Sequence, residues 1–263
     1  ATSIYGARAA NGVVVIMTKK AKMGKIEVSF SANLTIAPYR FYTDRLTNAA
    51  DVIDLEREWA LRNPNLKGDK AADYAANLLS NAVYNNPGIK SILKGYTGEL
   101  SAATVEQQLN ALSGMGYNYY DDVAKYAKRT AIYQQHNISV SKATETNKFN
   151  FSGTYKHNRL QNIHSKDDSF GFNFMNSTQI TKWLTFDISN YVKYGISKDQ
   201  SYDVLNPGYA YLPYDGLVNE GGSFYTNTVA DRLSEDKQNT IEKYGLYSLD
   251  ITPLDELGMN VGQ

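Results

Sequence analysis

The sequence predicts an all-β membrane protein, an antiparallel transmembrane β-sheet interrupted by one helical insertion. Three observations carry that expectation. Five segments alternate apolar and polar residues over long runs, their charges keep to the polar phase, and their connections alternate in length.

The first segment, 26–37, alternates without a break. Ile26, Val28, Phe30, Ala32, Leu34 and Ile36 share one face, with Glu27, Ser29, Ser31, Asn33 and Thr35 on the other. That period of two is the signature of a strand with unlike faces. The second, 136–143, sets Ile138 and Val140 against Asn137, Ser139 and Ser141. The third, 148–158, sets Phe149, Phe151, Gly153 and Tyr155 against Asn150, Ser152, Thr154 and Lys156. The fourth, 169–180, carries Phe170, Phe172 and Phe174 on one side and Gly171, Asn173 and Met175 on the other. The fifth, 183–197, opposes Leu184, Phe186, Ile188, Val192, Tyr194 and Ile196 to Thr185, Asp187, Ser189, Tyr191, Lys193 and Ser197. Tight turns at 143–147 and 181–183 alternate with a longer polar connection after 158, the order of an up-and-down meander.

Between the first two segments, residues 44–130 have a helical texture. Asn48 is placed to cap a helix whose Val52, Leu55 and Trp59 share a face, and Asp54, Glu56 and Glu58 read as its solvated side. A second helix over 70–86 is predicted to stop at Pro87-Gly88, and SAATVEQQLNAL, 101–112, makes a third. An insertion of this length is too long for a structureless loop, which predicts a small folded cap. Residues 199–240 read as another long loop, rich in tyrosine and glycine.

Two environments accept strands with unlike faces. In a soluble sandwich the apolar face meets a second sheet; in a transmembrane barrel it meets lipid and the polar face lines a lumen. Length favours the barrel, because soluble strands average about five or six residues and a membrane strand needs about nine to eleven. Charge segregation favours it too: Glu27, Lys156, Asp187 and Lys193 all avoid the apolar phase, where lysine or arginine would cost about 2–4 kcal/mol near mid-bilayer. Tyr39, Phe41, Tyr42 and Trp183 stand near strand ends, as an interfacial girdle requires. Asn176, Thr178 and Asn190 lie on the apolar phase and speak for the sandwich. Both homes stay open on periodicity alone.

Composition narrows the function. Lysine plus arginine and aspartate plus glutamate balance at 27 each, so no bulk field favours nucleic acid. Cysteine is absent, which excludes thiol catalysis, disulfides and cysteine-based zinc sites. Tyrosine occurs 21 times against nine phenylalanines, a bias suited to sugar-binding surfaces, interfaces and membrane girdles.

Residues 1–24 add a motif. Ile4-Tyr5-Gly6, Arg8-Ala9-Ala10-Asn11-Gly12-Val13, Ile16, Thr18-Lys19-Lys20 and Gly24 closely resemble the end of the plug domain in the SusC/RagA family of TonB-dependent outer-membrane transporters. Met17 and Ala21 depart from the family pattern. The stretch 135–155 also resembles the family's second and third barrel strands. The resemblance implies that 1–24 is the end of a plug domain and 25–263 the first part of a large barrel, 22-stranded in the family. Tyr5, Gly6, Arg8, Asn11, Gly12 and Lys19 are then structural residues of the plug, whose last strand, VVVIM, is shielded by protein on both faces. The helical insertion becomes extracellular and the two tight turns periplasmic. The chain is expected to be a piece of a longer polypeptide in the cell outer membrane.

The same resemblance implies import of a large nutrient, an oligosaccharide or a peptide. The expected partners are a SusD-like surface lipoprotein, the TonB-ExbB-ExbD energy-coupling complex and outer-membrane lipid. No cofactor, metal or catalytic residue is expected. A soluble tyrosine-rich β-sandwich that binds carbohydrate is the alternative of another class. A siderophore or cobalamin receptor is the alternative of the same architecture.

Residue by residue, little chemistry competes. His136, His157 and His164 lack metal-site spacing and read as rim histidines. GARAANG lacks the lysine and hydroxyl of a phosphate loop. Tyr209, Tyr211, Tyr214 and Tyr225 could stack on sugar rings, with Asp215 accepting hydroxyl bonds or helping to hold calcium. The competing reading is a loop packed on its own tyrosines.

Overall fold

The structure, a computed structural model, describes residues 23–84, 86–207, 210–226, 240–241, 243–245, 251–259 and 261–262. Tyr5, Gly6, Arg8, Asn11, Gly12, Lys19 and Tyr209 lie outside the described residues. By its internal contacts the chain forms two units, one of residues up to 34 with 134–157 and 168–195, the other of 35–133, 158–167 and 196–263.

The alternating segments become β1 (Glu27–Ala37), β2 (Ala131–Ala143), β3 (Asn147–Arg159), β4 (Lys166–Gln179) and β5 (Thr185–Gln200). A two-residue strand, β6 (Val261–Gly262), adds to β5 antiparallel, Gln200 opposite Val261. Sheet order follows chain order throughout, which is the predicted meander. At 11 to 16 residues the five main strands are long enough to cross a bilayer while tilted. The sheet is open, with β1 and β6 at its edges. Five long strands are too few to close on themselves, since small barrels use about eight.

Strand ends differ from the sequence reading. β2 begins at Ala131 rather than 136, and β4 at Lys166 rather than 169. Residues such as Gln134, Gln135, Lys166 and Asp167 carry no apolar alternation, and ladder pairing with neighbouring strands holds them. The connection between β3 and β4 therefore shrinks to 160–165. Arg129 ties it down, its Nε donating to Leu160 O at 3.0 Å and its Nη2 to Ser165 O at 2.7 Å. His136 is consequently not a rim residue. It sits within β2, stacked between Phe30 and Tyr155, with ring centroids 6.4 and 6.2 Å away.

The second unit makes the chain far from all-β. It holds α1 (Ala49–Arg62), α2 (Ala71–Ser80), α3 (Pro87–Thr97), α4 (Ala102–Ser113), α5 (Asn118–Asp122) and, near the end, α6 (Pro253–Met259). Asn48 caps α1 as predicted, accepting from Asp51 N at 2.8 Å, and Ser101 caps α4 by accepting from Thr104 N at 3.1 Å. Pro87-Gly88 does not end a helix. Pro87 opens α3 at its first turn, where the missing N–H has no intrahelical partner to lose. A single turn of π-helix, Val123–Ala127, extends α5. None of the helices among the described residues is long and apolar enough to cross a membrane.

Two apolar clusters hold this unit together. One gathers Ile53, Leu78, Ile92, Leu93 and Leu109 from α1 to α4. The other gathers Tyr119, Val123, Val204, Leu217 and Leu257. Replacing Asn48 by alanine removes one helix cap and is expected to cost about 1 kcal/mol of local stability. Faster amide exchange confined to the first turn of α1 would show it.

Candidate functional site

In the first unit the strands lie as a single layer whose apolar phase is open. Phe30 is 69% exposed and Phe186 54%, with Val28, Leu34, Val192 and Tyr194 similarly bare. Along β4 the usual order is inverted: Phe170, Phe172 and Phe174 are exposed while Gly171, Asn173 and Met175 between them are half-buried. Water-soluble strands do the reverse. Rings on this face run across neighbouring strands, Phe151 against Phe172 at 6.4 Å and Tyr155 against Phe170 at 4.6 Å. Gly153 supplies a flat place among them, with the Phe172 ring 3.8 Å from where a Cβ would stand.

The opposite phase is a hydroxyl and amide surface. Ser29 and Ser139 share a hydrogen bond of 2.7 Å, Asn137 donates to Ser31 at 3.3 Å, and Thr154 donates to Asn137 at 2.8 Å. Such side chains suit water or a polar filling.

Two of the discordant polar residues on the apolar phase satisfy each other. Asn147 Nδ2 donates to Thr178 Oγ1 at 2.6 Å, and Thr178 Oγ1 donates to Asn176 Oδ1 at 2.8 Å. The trio stands where β3 and β4 approach their turns, beyond the phenylalanines. At the other end of the row His157 Nδ1 bonds Asp168 Oδ1 at 2.5 Å. Polar groups thus bound the apolar band at both ends, and Asn190 is left exposed within it. Trp183, 83% exposed within the 181–184 turn, fits a girdle. Tyr39 and Phe41 do not: they pack on each other at 5.0 Å, and Phe41 meets Tyr120 at 5.4 Å within the helical unit.

The second unit holds the tyrosine loop, and here it is a strap rather than a free arm. Tyr119 N donates to Pro213 O at 3.0 Å, Asn118 Nδ2 to Asp215 O at 3.0 Å, and Leu217 N to Asp122 Oδ2 at 2.8 Å. Tyr211 stacks on Tyr119 with centroids 3.9 Å apart, and its hydroxyl donates to Leu205 O at 3.2 Å. Tyr214 is 3% exposed and donates to Glu56 Oε1 at 2.8 Å. Asp215 accepts from Leu212 N at 2.7 Å. Tyr225, half-buried, pairs its N–H with Leu217 O at 2.9 Å.

Glu56 is the residue that sequence reasoning missed. It is not on a solvated side of α1 but 4% exposed, on the buried stripe with Ala49, Ile53 and Ala60. Leu55, assigned to the inner face, is exposed instead. Asn86 Nδ2 donates to Glu56 Oε1 at 3.0 Å, so that oxygen has two donors. Among the described residues Oε2 has no hydrogen-bond partner. Burial pushes the Glu56 carboxyl up from its ordinary value, against the opposing pull of the Asn86 and Tyr214 bonds. Burial likewise lifts Asp215 to about 6, with the Glu56 charge adding to it. The Tyr214 phenol is raised strongly by burial and then by its two acidic neighbours. Gly88, at the start of α3, is the only signal that hinted at this contact, as a small residue where a side chain needs room.

No protein-family model matches the chain, and no curated protein matches it. Solved structures do. The chain is similar to the structure of the RagAB peptide importer in the 'closed-closed' state, with a TM-score of 0.51 and 20% identity over 86% of this chain and 24% of that one. A structure of the RagAB peptide transporter matches with a TM-score of 0.50 and 20% identity, over 86% and 24%. At that identity the likeness is one of fold. The chain spans 24% of the length of the chains it matches.

Proposed function

We propose that the chain is part of a TonB-dependent outer-membrane importer of the SusC/RagA kind. Its strands form one arc of a barrel wall around a plug ended by residues 1–24. The observation that supports this reading most is the exposed apolar phase of the single-layer sheet, bounded by polar residues at both ends. Hydrocarbon solvates such a face, whereas water does not. Backbone likeness to part of the RagAB importer and the motif at 4–24 support it on separate grounds.

In this reading the barrel provides a path, the plug is the gate, and no bond is made or broken. A SusD-like lipoprotein covers the outer mouth and the TonB-ExbB-ExbD complex supplies force. The cargo is a large nutrient, an oligosaccharide or a peptide, and the peptide importers among the structural neighbours bring peptide forward. Tyr209, Tyr211 and Tyr225 are the loop's contacts for cargo. Tyr214 and Asp215 support them from beneath through the strap's hydrogen bonds.

The test is made on the full-length protein. It is expected in the outer-membrane fraction, resistant to carbonate, released by detergent, and slower on a denaturing gel after boiling than before. A lipoprotein encoded beside it is expected to co-purify. Release by carbonate, with a migration indifferent to boiling, would return the reading to a soluble carbohydrate-binding sandwich.

A further inference from the structure

The strap 211–217 joins the two apolar clusters of the helical unit, Tyr214 seated in one and Leu217 in the other. Two carboxyls, Glu56 and Asp215, stand at its seat. Glu56 faces Tyr214 from the strap and Asn86 and Gly88 from the start of α3, and its charge reaches Asp215, the strap's next residue. On its own helix, Arg57 turns away to Glu106 and Asn110 of α4, at 2.7 and 3.2 Å. Among the described residues no lysine, arginine or histidine forms an ion pair with Glu56 or Asp215. From α5, Asp122 adds a third acidic side chain beside Gly216 and Leu217.

We propose that residues 211–217 form a pH-dependent latch, seated on α1 and α3 while the Glu56–Asp215 pair holds a proton and loosened once both carboxyls are ionised. Two like charges in poorly solvated surroundings repel each other, and among the described residues the buried Glu56 Oε2 has no donor to stabilise its charge. Both acids titrate above their ordinary values when seated. Linkage then fixes the sign. Seating is favoured at low pH and is lost as the pH rises through the seated-state value, near 6 for Asp215. The Asn86 and Tyr214 bonds to Glu56 Oε1 oppose this release, since they favour the ionised carboxylate; the loosening comes from the buried Oε2 and the neighbouring Asp215 charge. Loosening would free Tyr211 from its stack on Tyr119.

Hydrogen–deuterium exchange on the full-length protein in detergent tests this without reference to transport. Labelling at about pH 5 and about pH 8 is scaled for the intrinsic exchange rate, so that protection factors compare directly. The Leu212, Asp215 and Leu217 amides are expected to lose about tenfold in protection at the higher pH, while helix α4 does not change. E56Q and D215N are each expected to shrink that loss and the double variant to abolish it, because amide side chains keep the shape and drop the charge. Equal protection at both pH values in the wild type overturns the latch. So does a pH effect that survives E56Q or D215N undiminished.

Discussion

Lysine in place of Phe172 is expected to destabilise the membrane-inserted protein by about 2–4 kcal/mol, although Phe172 is half exposed. In a water-facing strand an exposed phenylalanine changed to lysine alters stability by about 0.5 kcal/mol or less. The cost arises only if the ring's exposed side faces hydrocarbon, where an ammonium has no solvent. Two companion substitutions separate lipid from a second protein layer. Asn173→Lys, one residue on and of opposite phase, is expected to be nearly silent, because the polar face can hydrate a charge. Ile180→Lys shares the apolar phase but lies beside the turn, where the cost falls to about 0–1 kcal/mol. Urea unfolding of the full-length protein in lipid vesicles reads all three. A penalty that follows both phase and depth is the mark of a bilayer. Equal penalties at 172 and 180 would indicate protein packing instead.

The strands were legible because their determinant is local. A face that alternates Phe149, Phe151, Gly153 and Tyr155 carries its orientation in the residues themselves. Their ends were not, because pairing rather than pattern extends β2 back to Ala131 and β5 on to Gln200. Asn176 and Thr178 looked like evidence against lipid for a related reason. Their hydrogen-bond partners are each other and Asn147 of the neighbouring strand, and a partner across the sheet leaves no trace in a one-dimensional pattern.

The helical unit was legible where a cap is local, as at Asn48, and illegible where contacts are distant. α3 was missed because Pro87-Gly88 reads equally as a stop and a start. The inner face of α1 was rotated for a more instructive reason. A glutamate counts as polar in any periodicity, and nothing near Glu56 in the chain announces that Tyr214, 158 residues later, donates to it. The tyrosine loop itself was found from composition. Its seating was not, because Tyr119 and Glu56, the partners of Tyr211 and Tyr214, lie far away in the chain.

Gly88 is expected to resist replacement, and the reason lies in two side chains of α1. A Cβ there would stand 1.9 Å from Glu56 Oε2 and 2.9 Å from Ile53 Cδ1, both too close for any real contact. Overpacking of a buried site costs about 1–3 kcal/mol. Displacing Glu56 also breaks its bonds from Asn86 and Tyr214, and an orphaned buried polar group costs about 1–3 kcal/mol more. Gly88→Ala is therefore expected to lower the stability of the α1–α3 contact by about 3 kcal/mol, despite alanine's better helix propensity. Glu56→Ala alone is also expected to be damaging, since it strands the Tyr214 hydroxyl and leaves a cavity. Combined, the two changes should cost much less than their sum, because the alanine methyl at 88 enters space that the carboxylate has vacated. The coupling expected from such a cycle is about 2 kcal/mol in the favourable direction. Opening free energies of α1 and α3 amides, from hydrogen exchange on the full-length protein, measure each corner of the cycle. Additive costs would mean that Glu56 does not rest against Gly88, and the seat of the strap would then have to be drawn elsewhere.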